Sequence, residues 1–331
     1  MGTRYDRTIL GSNDDGRRVD RILRRLLQDV PLSRIYRAMR SGEITVNGRR
    51  VRGDTRVSEG DAIELAESLH GRRTVDRTGV PDGRTGGDGS SLSRRIVHED
   101  NDLLVVNKRR GELTHGAGSL ETAVHAYLAG RPTDGVSFRP GPVHRLDRNT
   151  SGLLVFSLSL RGAQAAAAAF RDGTIGKRYV ALFEGTLTAG TWDDLLGRDR
   201  AQRVTRRVEG TASDTGLRAV SKVEPIAASA THTLGLVRIT TGRTHQIRAQ
   251  AGIHGHPLAG DRKYGSTEAG PYLLHAASLT VAQPHEGIGF SYLYADIPDS
   301  FRTRVEEHFG THALQRLDAI LRGRHNPEAS Q

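Results

Sequence analysis

Apolar residues recur along this chain with two different periods. Val19, Ile22, Leu23, Leu26 and Leu27 step by three and four, which predicts an amphipathic helix over about 17–28. Pro31 interrupts it, and Ser33 is the expected N-cap of a second helix that turns Ile35, Ala38 and Met39 inward. The stretch "GEITVNGRRV" then changes to period two around Asn47-Gly48, a hairpin signal, and "GDAIEL" supplies a further strand. Residues 70–94 are rich in Gly, Ser, Arg and Asp, hold little that could be buried, and read as a flexible linker.

Beyond about 95 the pattern predicts a larger unit. "RIVHEDNDLLVVNK" reads as two strands around a polar turn, "GLLVFSLS" as a buried strand, and "AQAAAAAF" as a helix ending at Asp172-Gly173. "KRYVALFEG" and "HTLGLVRITT" alternate as strands, and "RTHQIRAQAG" has the composition of a short helix closed by Gly252. Many strands and few helices give an α+β class: an extended, mainly antiparallel mixed sheet with flanking helices, beside a small α/β unit. The expected organisation is 1–69 for the small unit (core about 17–65), 70–94 for the linker, 95–310 for the large unit and 311–331 for a C-terminal extension.

Charge sharpens this outline. Lys plus Arg number 48 against 38 acids, a formal net charge of +10, which suits a polyanionic partner. The small unit gathers Arg18, Arg34, Arg37, Arg40, Arg49 and Arg50 on its helices and hairpin, together with Arg21, Arg24, Arg25 and Arg52. Such arginines either sit in solvent or meet phosphate, and their clustering favours phosphate. With no cysteine there is no disulfide, thiolate nucleophile or cysteine metal site. An apolar leader is absent, Asp6, Asp14 and Asp15 argue against a transit peptide, and no run approaches a membrane span. The expectation is a soluble, cytoplasmic protein.

Candidate chemistry lies in two segments. In "PGPVHRLDRNTSGLLVF" (140–156), Asp147 stands between arginines just ahead of a buried strand. Were the segment extended, Arg145 and Asp147 would point the same way, and Gly152 would permit a close backbone approach. An Asp in a turn, paired with an arginine, fits the spacing equally well. In "TGRTHQIRAQAGIHGHPLAGDRKYG" (241–265) a helix would place His245 and Arg248 on one face, where Arg248 could keep a carboxylate ionised. His245, His254 and His256 invite a zinc reading, which the intervening Gly255 and Pro257 disfavour. Tyr179 is either core or a platform on which a base stacks.

Taken in order, "HRLDRNTSGLLVF", "KRYVALFEG", "GRTHQIR…GHPLAGDRKYG" and "LLHAASL" resemble the RluA-type family of pseudouridine synthases. "RRVDRILRRLL", "PLSRIYRAMRSGEITVNGRRV" and "GDAIEL" resemble the S4 RNA-binding domain that some members carry. "LVVNKRRGELTHGAG" is similar to the family's first motif, with Arg109 and Arg110 where a proline and its neighbour usually stand. "HGAGSLETAV" and "VEGTASDT" lean toward the large-subunit synthase C type. The resemblance implies an enzyme that isomerises uridines of 23S ribosomal RNA by base flipping; that chemistry calls for no cofactor and no metal, and nothing in the sequence demands more than a monomer. It implies Asp147 as the catalytic aspartate and Arg145 as the residue filling the stack position of the flipped base. Tyr179 packs on the uracil, Arg248 pairs with Asp147, Ile247 walls the base, and His245 lies beside them. Two other readings are weaker: a non-catalytic RNA binder, and a glycosidase with paired carboxylates, for which Asp261 is the one evident second acid and reads better as loop structure.

Overall fold

The computed structural model describes residues 5–69, 92–132, 134–199, 204–208 and 216–323. The linker expected over 70–94 falls outside them except for its last three residues.

Its first unit is a helix pair laid on a four-stranded sheet. Helix α1 (Val19–Leu26) buries Val19, Ile22 and Leu23, and α2 (Leu32–Ser41) buries Ile35, Ala38 and Met39, the faces that the periodicity assigns. Strands β1 (Tyr5–Ile9), β2 (Ile44–Val46), β3 (Arg49–Arg50) and β4 (Ala62–Ala66) lie in the order β1-β4-β2-β3, all antiparallel. Asn47 and Gly48 turn the hairpin with φ of 51° and 73°, both left-handed as a two-residue turn requires. Three details depart from the sequence reading. α1 is shorter at each end, because Arg18 is extended and bridges to Arg56 while Leu27 leaves helical torsions. The N-cap of α2 is Pro31, not Ser33: its ψ of 142° is extended, and its missing N–H has no role at a helix start. β1 was not anticipated, since "YDRTI" is an exposed edge strand with little apolar alternation.

The large unit is built on eleven strands. They are β5 (Ile96–Glu99), β6 (Leu103–Lys108), β7 (Gly141–Pro142), β8 (Ser151–Ser157), β9 (Ile175–Glu184), β10 (Gly190–Asp199), β11 (Val204–Arg207), β12 (Leu217–Ala228), β13 (His232–Ile239), β14 (Leu274–Val281) and β15 (Tyr292–Tyr294). Nine follow the order β11-β10-β12-β13-β9-β14-β8-β6-β5, with β15 on β14 and β7 on β8. Every pairing is antiparallel except β8 with β14. There Gly152 lies so close to the Ala276 backbone that any Cβ would collide with it, which is the close approach expected of that glycine. β8 is buried along its whole length, with apolar clusters on both sides of the sheet.

Helices α3 (Leu120–Tyr127), α4 (Leu160–Asp172), α5 (Gln246–Ile253), α6 (Asp299–Phe309) and α7 (Thr311–Leu321) complete the unit. α4 ends at Gly173, whose φ of 83° is the expected left-handed cap. α5 does not end at Gly252 but runs through it to Ile253; a side chain at 252 would strike the Tyr264 carbonyl, so the glycine serves packing rather than termination. The residues expected as a C-terminal extension begin with α7, which buries Leu314, Leu317 and Leu321 in the same apolar cluster as Phe301 and Val305 of α6.

The two units are locked together. Asp14 is fully buried, and its carboxylate accepts hydrogen bonds from the Val136 amide (2.9 Å), the Ser137 amide (3.1 Å) and the Ser137 hydroxyl. Asn13 accepts from the Leu160 amide at 2.6 Å, and Val136 packs against the core of the small unit. Replacing Asp14 by Ala removes the acceptor of the Val136, Ser137 and Gly11 amides, at about 1–3 kcal/mol for each group left unsatisfied. In native hydrogen exchange of Asp14→Ala, the Val136 and Ser137 amides should exchange roughly 10–100-fold faster, with β8 still protected; unchanged exchange at both would contradict the latch.

Candidate active site

Segments distant in sequence, 145–150, 239–248, Tyr179 and Leu274, meet in one small open cleft. The first is the approach to β8. Residues 144–149 are not a strand: the chain turns there, with the Thr150 amide donating to the Asp147 carbonyl at 3.0 Å. Both readings of Asp147 therefore hold in part. It sits in a turn and is paired with an arginine, but that arginine comes from a helix 101 residues away. His144 is a packing group: burial pushes its pKa down to about 3, and its Nε2 accepts from the Val155 amide at 3.1 Å.

Lys108 holds this turn from behind. It ends β6 with its side chain fully buried, and its ammonium donates to the carbonyls of Thr150 (2.8 Å), Arg148 (3.0 Å), Asp147 (3.1 Å) and Arg109 (3.2 Å). Burial pulls its pKa down to about 8, so it remains largely charged at neutral pH. A compact ammonium can serve carbonyls converging from several sides, whereas a planar guanidinium cannot. Around it the first-motif loop closes without its proline: Glu112 accepts from the Arg109 amide (2.8 Å) and from Arg95, while Gly111 and Arg148 exchange hydrogen bonds.

α5 brings the second set. His245 caps it with φ of 54°, a left-handed conformation that costs a non-glycine residue on the order of 1 kcal/mol and needs surrounding support. Support comes from the Tyr264 hydroxyl, 2.8 Å from Nδ1, which leaves Nε2 turned to Asp147 at 3.7 Å. Three residues on, Arg248 is shared by two carboxylates. Its Nε and Nη2 donate to Asp261 at 2.7 and 2.9 Å, and Nη1 donates to Asp147 at 3.2 Å. Tyr272 and Tyr264 lie against the guanidinium, 4.2 and 5.1 Å from their ring centres. Burial opposes the charge of Arg248, but Asp261, Tyr272 and Asp147 together outweigh it and raise the pKa above the ordinary arginine value.

The exposures are graded. Asp261 is 2% exposed and Arg248 8%, whereas Asp147 is 18% exposed and lines the cleft. Tyr179, from β9, lines it too; burial and then the charge of Asp147 raise its pKa, so the phenol keeps its proton, and among the described residues its hydroxyl makes no hydrogen bond. Burial likewise pushes Tyr272 up to about 12. Arg145, Asp147, Tyr179, His245, Ile247 and Arg248, the six expected site residues, all line this one cleft, with Arg145 exposed.

Sequence reasoning missed Lys108, Tyr272 and the part played by Asp261. Asp261 is not free to act as a second acid: both its oxygens are bound to Arg248, and it does not line the cleft. The three histidines that suggested zinc serve separate partners. His245 bonds Tyr264, His254 bonds Asp194 (3.0 Å) and stacks on Trp192, and His256 bonds the Glu184 carbonyl (3.2 Å).

Residues 102–252 match the RNA pseudouridylate synthase family, and residues 17–63 match the S4 domain. Over 287 residues the chain is 33% identical to the ribosomal large subunit pseudouridine synthase C of Vibrio vulnificus, covering 81% of this chain and 86% of that one. The protein of the same name from Escherichia coli is 32% identical over 302 residues, covering 83% and 88%.

The chain belongs to the RNA pseudouridylate synthase family.

It is thus an isomerase whose substrate is RNA. Human RNA pseudouridylate synthase domain containing 1 has the same fold, with a TM-score of 0.55 at 24% identity over 73% of this chain and 99% of that one. Human domain containing 4 gives 0.54 at 21% identity over 70% and 95%. In the S4 domain of this pseudouridine synthase, Arg37, Arg40, Arg49 and Arg50 are exposed, whereas Arg18 and Arg34 face carboxylates, Asp20 (2.8 Å) and Glu43. Arg49, Arg50, Arg52 and Arg56 line a groove beside the hairpin.

Breaking a buried ion pair costs about 3–5 kcal/mol because it strands the partner charge. Asp261→Asn should therefore lower unfolding stability by about that much, and Asp147→Asn, whose carboxylate is partly solvated, by clearly less. Urea denaturation of the two variants checks this; equal losses would mean Arg248 does not depend on Asp261.

Proposed function

We propose that this enzyme isomerises uridines of large-subunit ribosomal RNA, with Asp147 as its catalytic residue. One observation carries the assignment of Asp147: it presents an aimed, partly solvated carboxylate to the cleft while Arg248 and Asp261 behind it are buried. The relatives' names support the choice of large-subunit RNA, and the arginine-bearing S4 domain supports an RNA ligand.

The reaction breaks the bond between ribose C1′ and uracil N1 and joins C1′ to C5 of the same base, with the C5 proton lost and one proton gained at N1. Atoms balance without a redox partner, so we read the enzyme as working without cofactor or metal. We also read it as a cytoplasmic monomer. The target base leaves its stack at a cost of a few kcal/mol. Arg145, exposed at the mouth of the cleft, fills the vacated position, and Tyr179 packs on the uracil; stacking on an aromatic ring contributes about 1–3 kcal/mol per base. Ile247 walls the base, and the Tyr179 hydroxyl is placed for proton transfer at C5. Asp147 supplies the negative charge for the covalent or charge-stabilising step, oriented by its hydrogen bond from Arg248. The working units on this reading are 1–69 for RNA docking and 95–310 for catalysis, joined through 70–94.

Purified protein should form pseudouridine in a large-subunit rRNA transcript with no additive. Asp147→Asn should bind that transcript with unchanged affinity but convert it at least about 10³-fold more slowly, the scale of losing a group that acts in the transition state. Release of free uracil would revive the glycosidase reading. Binding without conversion by the unaltered protein would revive the non-catalytic one.

A further inference from the structure

The Asp14 latch fixes the S4 domain against the catalytic domain, and it also gathers arginines from both. Arg17 of the S4 side donates to the Ser137 hydroxyl at 2.9 Å, the same hydroxyl that donates to Asp14. Two residues after Ser137 stands Arg139, exposed, with its Nη2 on His125 Nδ1 at 3.0 Å. His125 also lies 2.8 Å from the Pro140 carbonyl through Nε2, and it brings no negative charge to Arg139. Arg25 is half-buried in the last turn of α1 on the same side of the joint, within the field of both: burial first, then the positive charges of Arg139 and Arg17, hold its pKa below the ordinary arginine value.

Among the described residues none of these three arginines has an ion pair, and the nearby acids are engaged elsewhere. Asp14 serves Val136 and Ser137, Asp134 pairs with Ser12, Asp20 with Arg18 and Tyr36, and Glu121 with His115. Three like charges drawn together at a half-buried joint repel one another until an anion joins them. The segment that carries Arg139 leads on to the turn that holds Asp147. Arg139 precedes Asp147 by eight residues, a span of at most about 29 Å even if fully extended.

We propose that the domain joint is itself a phosphate site, in which Arg17 and Arg25 of the S4 domain and Arg139 of the catalytic domain together take one backbone phosphate of the substrate RNA, an inference that rests on the RNA reading above. One strand then touches the S4 domain, the joint and the cleft in a fixed geometry, and the latch sets the spacing between the docked part of the RNA and the base that is flipped.

The test uses full-length protein carrying Asp147→Asn, so that binding is read without turnover, and a large-subunit rRNA transcript titrated at several salt concentrations. Each phosphate contact contributes roughly 0.7–0.9 to the slope of log affinity against log salt. Arg25→Gln and Arg139→Gln should each weaken binding about tenfold, the scale of one charge-assisted hydrogen bond. The double variant should lose no more than one phosphate's share of slope, because the arginines hold the same group. Without RNA both substitutions should hold or raise Tm, since they remove repulsion. Arg316→Gln, an equal charge change on exposed α7, should leave slope and affinity alone. Unchanged binding, additive loss of two phosphates' slope, an equal effect of Arg316→Gln, or a fall in Tm beside weakened binding would each overturn the joint site. Absence of salt-dependent binding in the parent would instead count against the RNA reading itself.

Discussion

One guanidinium held between two carboxylates organises this molecule. Asp147 alone would leave the buried charge of Arg248 poorly compensated, because a single partly solvated partner does not offset the desolvation of a buried cation. Asp261 supplies the missing compensation through two parallel hydrogen bonds, and the two tyrosine faces complete the enclosure. With Nε and Nη2 committed to Asp261, Nη1 has one direction left, and Asp147 stands there. The carboxylate facing the cleft is thus aimed by an arginine that Asp261 fixes from behind.

The backbone around Asp147 is constrained just as tightly from the opposite side. Lys108 collects four carbonyls from two loops, and Gly152 lets β14 press against β8 where the turn ends. The turn can be exposed at its tip and rigid at its root because its polar groups are satisfied internally. Aimed side chain and anchored backbone together preorganise the carboxylate that faces the cleft.

Much of this was legible in the sequence, and the reasons for the remainder are physical. Elements with a strong period, such as α2, β8 and β9, and turns with a chemical signature, Asn47-Gly48 and Gly173, appear where the residues place them. The six cleft residues were reachable because their motifs are ordered and specific. Asp261 was not, since a loop aspartate shows its role only when its partner's direction is known. Nor was Lys108: its four acceptors are main-chain atoms, which leave no trace in residue identity. Asp14 reads as one more surface acid until Val136 and Ser137, more than 120 residues away, are seen to close on it. Edge strands such as β1 escape because an exposed strand has no buried face to set its period.

The claim on which the account stands is that the Asp147 carboxylate meets a uracil drawn out of its stack into this cleft. A structure of the Asp147→Asn protein bound to a large-subunit rRNA stem-loop tests it directly. The account predicts the target uridine unstacked, its ring between Tyr179 and Ile247 and within hydrogen-bond reach of residue 147, with Arg145 in the gap left behind. A complex in which every uridine stays stacked, or in which the extruded base lies outside this cleft, would contradict it.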